Sequence, residues 1–593
     1  MSEKSIYQLF KKVCDDQPEK LAYTFKSGDS WVEKTWKDTG EECKHISKAL
    51  IALGLEHGDK VDILSNTRYE WVALDFGIVS AGGATVGIYA SNLAEDCAYI
   101  INHSDAKIVF VENQEQLDKI IAIKDQLDNL EHVVMIEGNP QGHDNAMNWA
   151  AFIAKSEETT DAVFEERAGK IKEDDLAALV YTSGTTGVPK GVMISNGNLL
   201  FASESSGQCL PLKSTYITLL FLPLAHVFAR LIIHFSMRGG CAVAFAEGMD
   251  KIVENLKEIQ PQYFASVPRI YEKVYEKITT GAQDSGGLKE KIFNFAISTG
   301  HAVSELQQNK KPIPAGLALK RKLANKLVFS KIQAALGGRV VFAISGAAPF
   351  NVVVAKFFHA CGISILEGLG MTENTSFTNV NRIDNNRFGT VGQTGPGIEQ
   401  KIAPDGEVLF RGPNNMLGYY KNPEATAETI DKDGWLYTGD VGEIDEDGFL
   451  KITDRKKDLI ITAGGKNIAP QRVEKIISSS RYINQAVAYG DKKKFLSAVV
   501  TLDQEQVEAW ATAQGIQFDN WEELVKDNRV VELIDNEVNA QNQFLASFES
   551  IKKIIILPHE FTIESGELTP SMKIKRKAVV ENNKKRFEAL YTD

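Results

Sequence analysis

The chain has 593 residues, beyond the roughly 250–300 at which one hydrophobic core stops growing, so at least two domains are expected. Hydrophobic residues make up 43% and charged residues 24%, a globular balance that excludes a disordered or fibrous chain. With 66 Lys and Arg against 79 Asp and Glu the net charge is -13, which argues against nucleic-acid binding through a bulk positive field. Cys14, Cys43, Cys97, Cys209, Cys241 and Cys361 show no CxxC spacing, which excludes a disulfide scaffold or zinc ribbon and suits a reducing, cytoplasmic compartment. Residues 1–20 hold no apolar run of signal-peptide length. The most hydrophobic stretch, 217–235, is broken by Pro223, His226 and Arg230, so no membrane span is expected there.

In chain order, helical spacing predicts helices over 41–53 and 116–127, then a short apolar strand at 177–181 that runs into YTSGTTGVPKG at 181–191. A helix is predicted over 252–259, and strands at 340–344 and 363–366 that end in Gly- and Ser-rich turns. This alternation predicts an α/β architecture. Between Leu306 and Leu366 there is no Asp or Glu, while Lys310, Lys311, Lys320, Arg321, Lys322, Lys326 and Arg339 interleave with Leu317, Leu319, Leu323, Leu327, Val328 and Phe329. That segment reads either as a solvated helix packed on the domain or as a surface lying on an anionic bilayer. After 448–453 comes the charged cluster 454–458, and the pattern resets: a helix at 471–479, strands at 485–489 and 495–502, and a highly helical stretch over 505–547. The expected domains are 1–453 and 454–593, with a hinge at Asp454.

The loop at 181–191 concentrates the hydroxyls of Thr182, Ser183, Thr185 and Thr186 with Gly184, Gly187 and Lys190, a composition suited to cradling phosphate. It is not a Walker A loop, because Gly191 stands where that motif carries Ser or Thr; the plain reading is a surface hairpin. Glu373 follows a strand and a Gly-rich turn, the place where α/β ligands gather, and a carboxylate facing a triphosphate needs a cation between them. Asp440 in YTGD reads as an acceptor for two hydrogen bonds or as an ordinary turn aspartate. His226 sits among apolar residues and reads first as a core histidine. Lys573 begins the basic run Lys573, Lys575, Arg576, Lys577, whose plain reading is a solvated face.

Together with LPLAH at 222–226, EGLGMTE at 367–373, YTGD at 437–440, GFLKITDR at 448–455 and LTPSMK at 568–573, this loop gives the chain a full-length resemblance to the acyl-adenylate-forming superfamily. PLAH and LTPSMKIKR are most similar to the long-chain fatty acyl-CoA synthetase branch. The resemblance implies a large multi-sheet α/β N-terminal domain with a small α+β C-terminal lid. It implies an AMP-forming long-chain fatty acid–CoA ligase that uses ATP, Mg²⁺ and CoA. It carries ATP contacts over to Thr182, Ser183, Gly184, Thr185, Thr186, Gly187 and Lys190, to Gly346 and Ala347, to Glu367, Gly368, Leu369, Gly370 and Thr372, and to Asp440, Arg455 and Lys457. Glu373 and Ser183 are the implied metal partners, and Lys573, Glu373, His226 and Arg455 the implied catalytic set. Two positions depart from the pattern: Ile461 stands where several relatives have a thioester-step lysine, and Arg230 where one branch has a tunnel-gating tryptophan. Loading of a carrier protein's phosphopantetheine arm stays open as an alternative to CoA ligation. Intact Glu373, Asp440, Arg455 and Lys573 argue against a pseudoenzyme that only binds acyl groups or nucleotides.

Overall fold

Two large sheets carry the chain as far as the pair Asn379–Val380 and Gln393–Thr394 in the computed structural model, which describes residues 3–143, 145–182, 188–463, 466–569 and 572–591. In the eight-stranded sheet the parallel strands Lys60–Leu64, Ala84–Ile88 and Ile108–Val111 lie side by side, followed outward by Leu176–Thr182 and its antiparallel partner Lys190–Ser195. These strands are buried almost throughout, which is why they read as unbroken apolar runs. The nine-stranded sheet is built around Ile217–Leu220, Tyr263–Ser266, Phe342–Ser345 and Ile365–Leu369, all parallel. Helix Tyr69–Ser80 touches strands of both sheets and is buried at every position but Glu70, and Val227–Arg238 is buried at all but Arg238. A four-stranded antiparallel sheet, Glu399–Ile402, Glu407–Arg411, Leu436–Ile444 and Leu450–Arg455, follows.

Past Arg455 a strand pair, Ile460–Ile461 with Asn467–Ile468, leads into a three-stranded sheet of Ile483–Tyr489, Leu496–Leu502 and Ile551–Leu557 covered by helices. The main buried apolar cluster extends from Ile6 to Leu450, and another begins at Ile460.

Helix Ile252–Ile259 has its predicted bounds. Helix Trp36–Ala52 starts before the predicted 41, because Thr35 and Asp38 form a reciprocal capping box. The helical stretch expected over 505–547 is three helices, Gln504–Ala513, Trp521–Leu524 and Asn528–Asn542. Gly515, with φ of +70°, ends the first, and the caps Asn520 and Asp527 start the others.

The basic segment forms helix Ala315–Ala324, which runs through a π turn, Asn325–Phe329, into Ser330–Ala335. Ala324, Phe329 and Ile332 pack inward. Arg321 also turns inward, donating to the Ala360 carbonyl and lying over the Phe329 ring, so it is no part of a charged surface. Leu319, Leu323 and Leu327 are 71%, 49% and 39% exposed and share an outer stripe with Lys322 and Lys326.

Arg230 is not among the residues that line the cleft and is packed in the core. It is 2% exposed and donates to Asp75, 4% exposed, at 2.6 Å across the packed helices Val227–Arg238 and Tyr69–Ser80, with Trp71 beneath its guanidinium. Arg230→Met leaves the Asp75 carboxyl buried without its cation and is expected to cost about 3–5 kcal/mol of stability. Adding Asp75→Leu should restore most of that, as read by urea unfolding followed through tryptophan fluorescence.

Candidate active site

The C-terminal ends of the central strands, the four-stranded sheet and the segment beyond Arg455 enclose a cleft of about 2240 Å³, larger than the roughly 300–1,000 Å³ of a drug-sized pocket. Thr182, Lys190, His226, Gly346, Ala347, Asp440, Arg455, Lys457 and Lys573 line it, as do Glu367, Gly368, Leu369, Gly370, Thr372 and Glu373. Ser183, Gly184, Thr185, Thr186 and Gly187 lie outside the described residues. The hairpin around them closes with Thr182 opposite Lys190, and both of those reach the cleft.

Each side chain arrives there for a local reason. Strand Ile365–Leu369 brings in Glu367, whose Oε1 accepts from the Phe350 N–H at 2.8 Å; burial lifts this carboxyl to about 7 against that hydrogen bond and Lys475. Gly370 allows the sharp turn that follows: a Cβ there would meet the Ser376 carbonyl carbon at 2.1 Å. The short 3₁₀ turn Thr372–Asn374 then presents Glu373, whose Oε1 accepts from the Tyr419 hydroxyl at 2.8 Å. Tyr419 reaches it because Gly418–Tyr419 pairs with Lys190–Ser195, and Lys190 lies over the Tyr419 ring at 4.6 Å. Tyr419 belongs to none of the sequence motifs; only this strand pairing reveals it. Ala347, Ser376 and Met572, all lining the cleft, adopt left-handed backbone with φ of 68°, 62° and 61°, local strain of the kind that gathers at functional sites.

Asp440 and Arg455 are cross-strand partners in adjacent antiparallel strands, with Arg455 Nε 2.8 Å from Asp440 Oδ1. Burial raises the Asp440 carboxyl, opposed by Arg455, while Glu373 pushes it further up and Lys573 pulls it down. Lys573 comes from the far end of the chain. Enclosure by the cleft walls lowers its ammonium below the ordinary lysine value and Arg455 adds to that, against the pull of Glu373 and Asp440. Asp454, 3% exposed, accepts from the Arg455 N–H at 2.6 Å, and burial lifts it to about 6. Ile461 is exposed and outside the cleft lining.

His226 is the N-cap of helix Val227–Arg238, its Nδ1 accepting from the Phe228 N–H at 3.1 Å, which leaves the proton on Nε2. Desolvation, then the Lys573 charge, lowers it to about 3. Phe228, Leu231, Ile232 and Phe235 form the cleft-facing stripe of the same helix.

No group of three or more His, Cys, Asp or Glu able to hold a metal occurs among the described residues. A lone carboxylate at Glu373 fits Mg²⁺, which takes one or two carboxylates and fills its remaining sites with phosphate oxygens and water.

A large multi-sheet N-terminal domain and a small C-terminal domain bearing Lys573 around one cleft are the architecture of adenylate-forming enzymes. The chain aligns with the adenylation domain of a carboxylate reductase from Mycobacterium chelonae at TM-score 0.78 and 20% identity, over 100% of this chain and 92% of that one. The chain belongs to the AMP-binding enzyme family, matching its main domain over residues 10–420 and its C-terminal domain over 457–593. It is 36% identical over 585 residues to a long-chain-fatty-acid–CoA ligase of Mycobacterium bovis, covering 97% of this chain and 95% of that protein. It is 35% identical to one of Xenopus laevis, covering 99% and 84%.

The depressed value of His226 predicts that its ring stays neutral at pH 5, read from ¹⁵N imidazole shifts assigned with His226→Asn. His234, lowered to about 3 mainly by burial, should do the same. The unfolded chain protonates both near 6.5, so their contribution to stability is fully present above that value and is lost as pH falls towards about 3.

Proposed function

We propose that the chain is an AMP-forming long-chain fatty acid–CoA ligase. The observation that carries this reading is one cleft in which Lys573, Glu373, Asp440 and Arg455 stand together beside the apolar stripe of the His226 helix. The relatives named as long-chain-fatty-acid–CoA ligases support it. In the first step the fatty carboxylate attacks the α-phosphorus of ATP, forming the acyl–phosphate bond and releasing pyrophosphate. In the second the CoA thiol attacks the acyl carbonyl, its proton is lost and AMP leaves with the bonding pair.

The residues divide this work. Lys573 faces the charge shared by the carboxylate and the α-phosphate. The loop from Thr182 to Lys190 holds the outer phosphates, with Gly346, Ala347 and the 367–372 turn around the adenine. Asp440 accepts from the ribose hydroxyls, and Arg455 pairs with it. Neutral His226 donates from Nε2 towards the acyl carboxylate. Glu373, with Ser183, would hold Mg²⁺, which when bound offsets charge on the phosphate oxygens. Residues 454–593 act as a lid hinged at Asp454 over a body of 1–453, closing to keep water from the acyl-adenylate.

Lys573→Ala is expected to slow palmitate-dependent ATP–pyrophosphate exchange by about 10²–10³ while sparing conversion of supplied acyl-AMP and CoA. Loss of both half-reactions in a folded variant would reject the assignment. Each buried methylene contributes about 0.8 kcal/mol, so palmitate should outcompete acetate in the exchange assay; the reverse order would reject the long-chain reading. Acyl transfer only to a carrier's phosphopantetheine arm would replace CoA as acceptor.

We also place the enzyme in the cytoplasm, with peripheral contact at an anionic membrane face. No helix of the described residues is long and apolar enough to cross a membrane. The exposed Leu319, Leu323 and Leu327, set among Lys320, Lys322 and Lys326, suit the headgroup boundary, each lysine adding about 1 kcal/mol near such a surface. Sedimentation with phosphatidylserine-containing vesicles should show binding that weakens in high salt and is lost in the Lys320, Lys322, Lys326 triple glutamine variant. Absence of binding at low salt would leave a solvated helix.

A further inference from the structure

Helix Pro268–Asp284 of the body carries Arg269, Glu272 and Glu276 at i, i+3 and i+7, a spacing that puts them on one face. That face meets residues from beyond the hinge. Arg269 Nη2 donates to Asn484 Oδ1 at the start of strand Ile483–Tyr489, and Glu272 faces Lys475 on helix Pro470–Ile477. Lys475 Nζ in turn donates to the Pro349 carbonyl at 3.0 Å. Pro349 closes the turn that begins at Gly346 and Ala347, and the next residue, Phe350, binds Glu367 through its N–H. Glu367 is the second carboxylate drawn towards Lys475.

We propose that Lys475 is a positioning residue that docks the lid on the adenine side of the cleft whenever Lys573 occupies it. Its ammonium is hydrogen-bonded to the turn at Pro349 and attracted by the body carboxylates Glu367 and Glu272. With Arg269–Asn484 it fixes where helix Pro470–Ile477 sits, and hence where the lysine-bearing segment of the same lid enters. The contact is made in the arrangement that puts Lys573 in the cleft, so its loss should bear on adenylation and spare thioester formation.

This inference rests on the two-step reading above, and the test separates the two. Lys475→Met keeps the length of the side chain and removes its charge. Pyrophosphate exchange should fall about tenfold, the scale of one charge-assisted hydrogen bond, with a raised KM for ATP. Conversion of supplied acyl-AMP and CoA should stay within about twofold, and the thermal midpoint should hold. Lys475→Arg, which keeps a donor, should recover most of the exchange rate. Arg269→Ala should move the same half-reaction in the same direction. Equal loss of both half-reactions, no loss in either, or no rescue by arginine would overturn the role of Lys475. A native chain that makes no acyl-AMP would instead overturn the functional reading.

Discussion

Opposed charges held in a partly desolvated cleft join the two ends of this chain. Asp440 is buried and its carboxyl is raised, so it needs a cation; strand register supplies Arg455 at 2.8 Å, and the C-terminal domain supplies Lys573. The set is not at rest, because Lys573 and Arg455 repel one another while Asp440 and Glu373 do the same. Two unit charges 4 Å apart interact by about 4 kcal/mol at the effective dielectric of such a site. A polyanion among these cations, with a divalent ion held by Glu373, would relieve both repulsions. The geometry is therefore matched to a ligand more than to its own stability, as expected of electrostatic preorganisation.

The same principle shapes the helix that starts at His226. Its Phe228, Leu231, Ile232 and Phe235 face the cleft, while Arg230 is turned towards Asp75 in the core. An ion pair buried to this extent is weak evidence for stability, since desolvation offsets much of its Coulomb gain. It does fix the rotation of the helix: turning the apolar stripe away from the cleft would separate two charges inside the protein. The N-cap histidine is held by the same rotation, its Nδ1 already committed to Phe228.

Local signals made much of this legible from sequence. Parallel strands covered on both faces read as apolar runs, so Leu176–Thr182 and Ile365–Leu369 were expected close to where they lie. Residues of the motifs at 181–191, 222–226, 367–373, 437–440, 448–455 and 568–573 come together at the cleft. What stayed hidden depends on partners far along the chain. Nothing near Arg230 in sequence announces Asp75, nothing near Glu373 announces Tyr419, and Lys475 gains meaning only through Pro349 and Glu272. Composition also treated as uniform what the fold divides. The basic segment before residue 330 turns Arg321 inward and leaves Lys322 and Lys326 in water.

The C-terminal basic run is divided as well, and the division ties the segment that bears Lys573 to the rest of its domain. Lys573 and Lys577 both line the cleft with exposed side chains, whereas Arg576 turns back into the C-terminal domain, donating to Glu474 and, at 2.8 Å, to the Ala488 carbonyl. Burial lifts Glu474 to about 7 and Arg576 opposes that rise, so the pair is coupled to the enclosure that surrounds it. Glu474 and Lys475 are neighbours on helix Pro470–Ile477. One reaches back to the segment that bears Lys573, and the other reaches across to the turn at Pro349 on the wall of the cleft. A single short helix thus links the segment that bears Lys573 to the turn at 346–349 through two side chains of opposite charge. Two polar links of this kind fix a position by direction and charge, where an apolar contact would fix it by area alone.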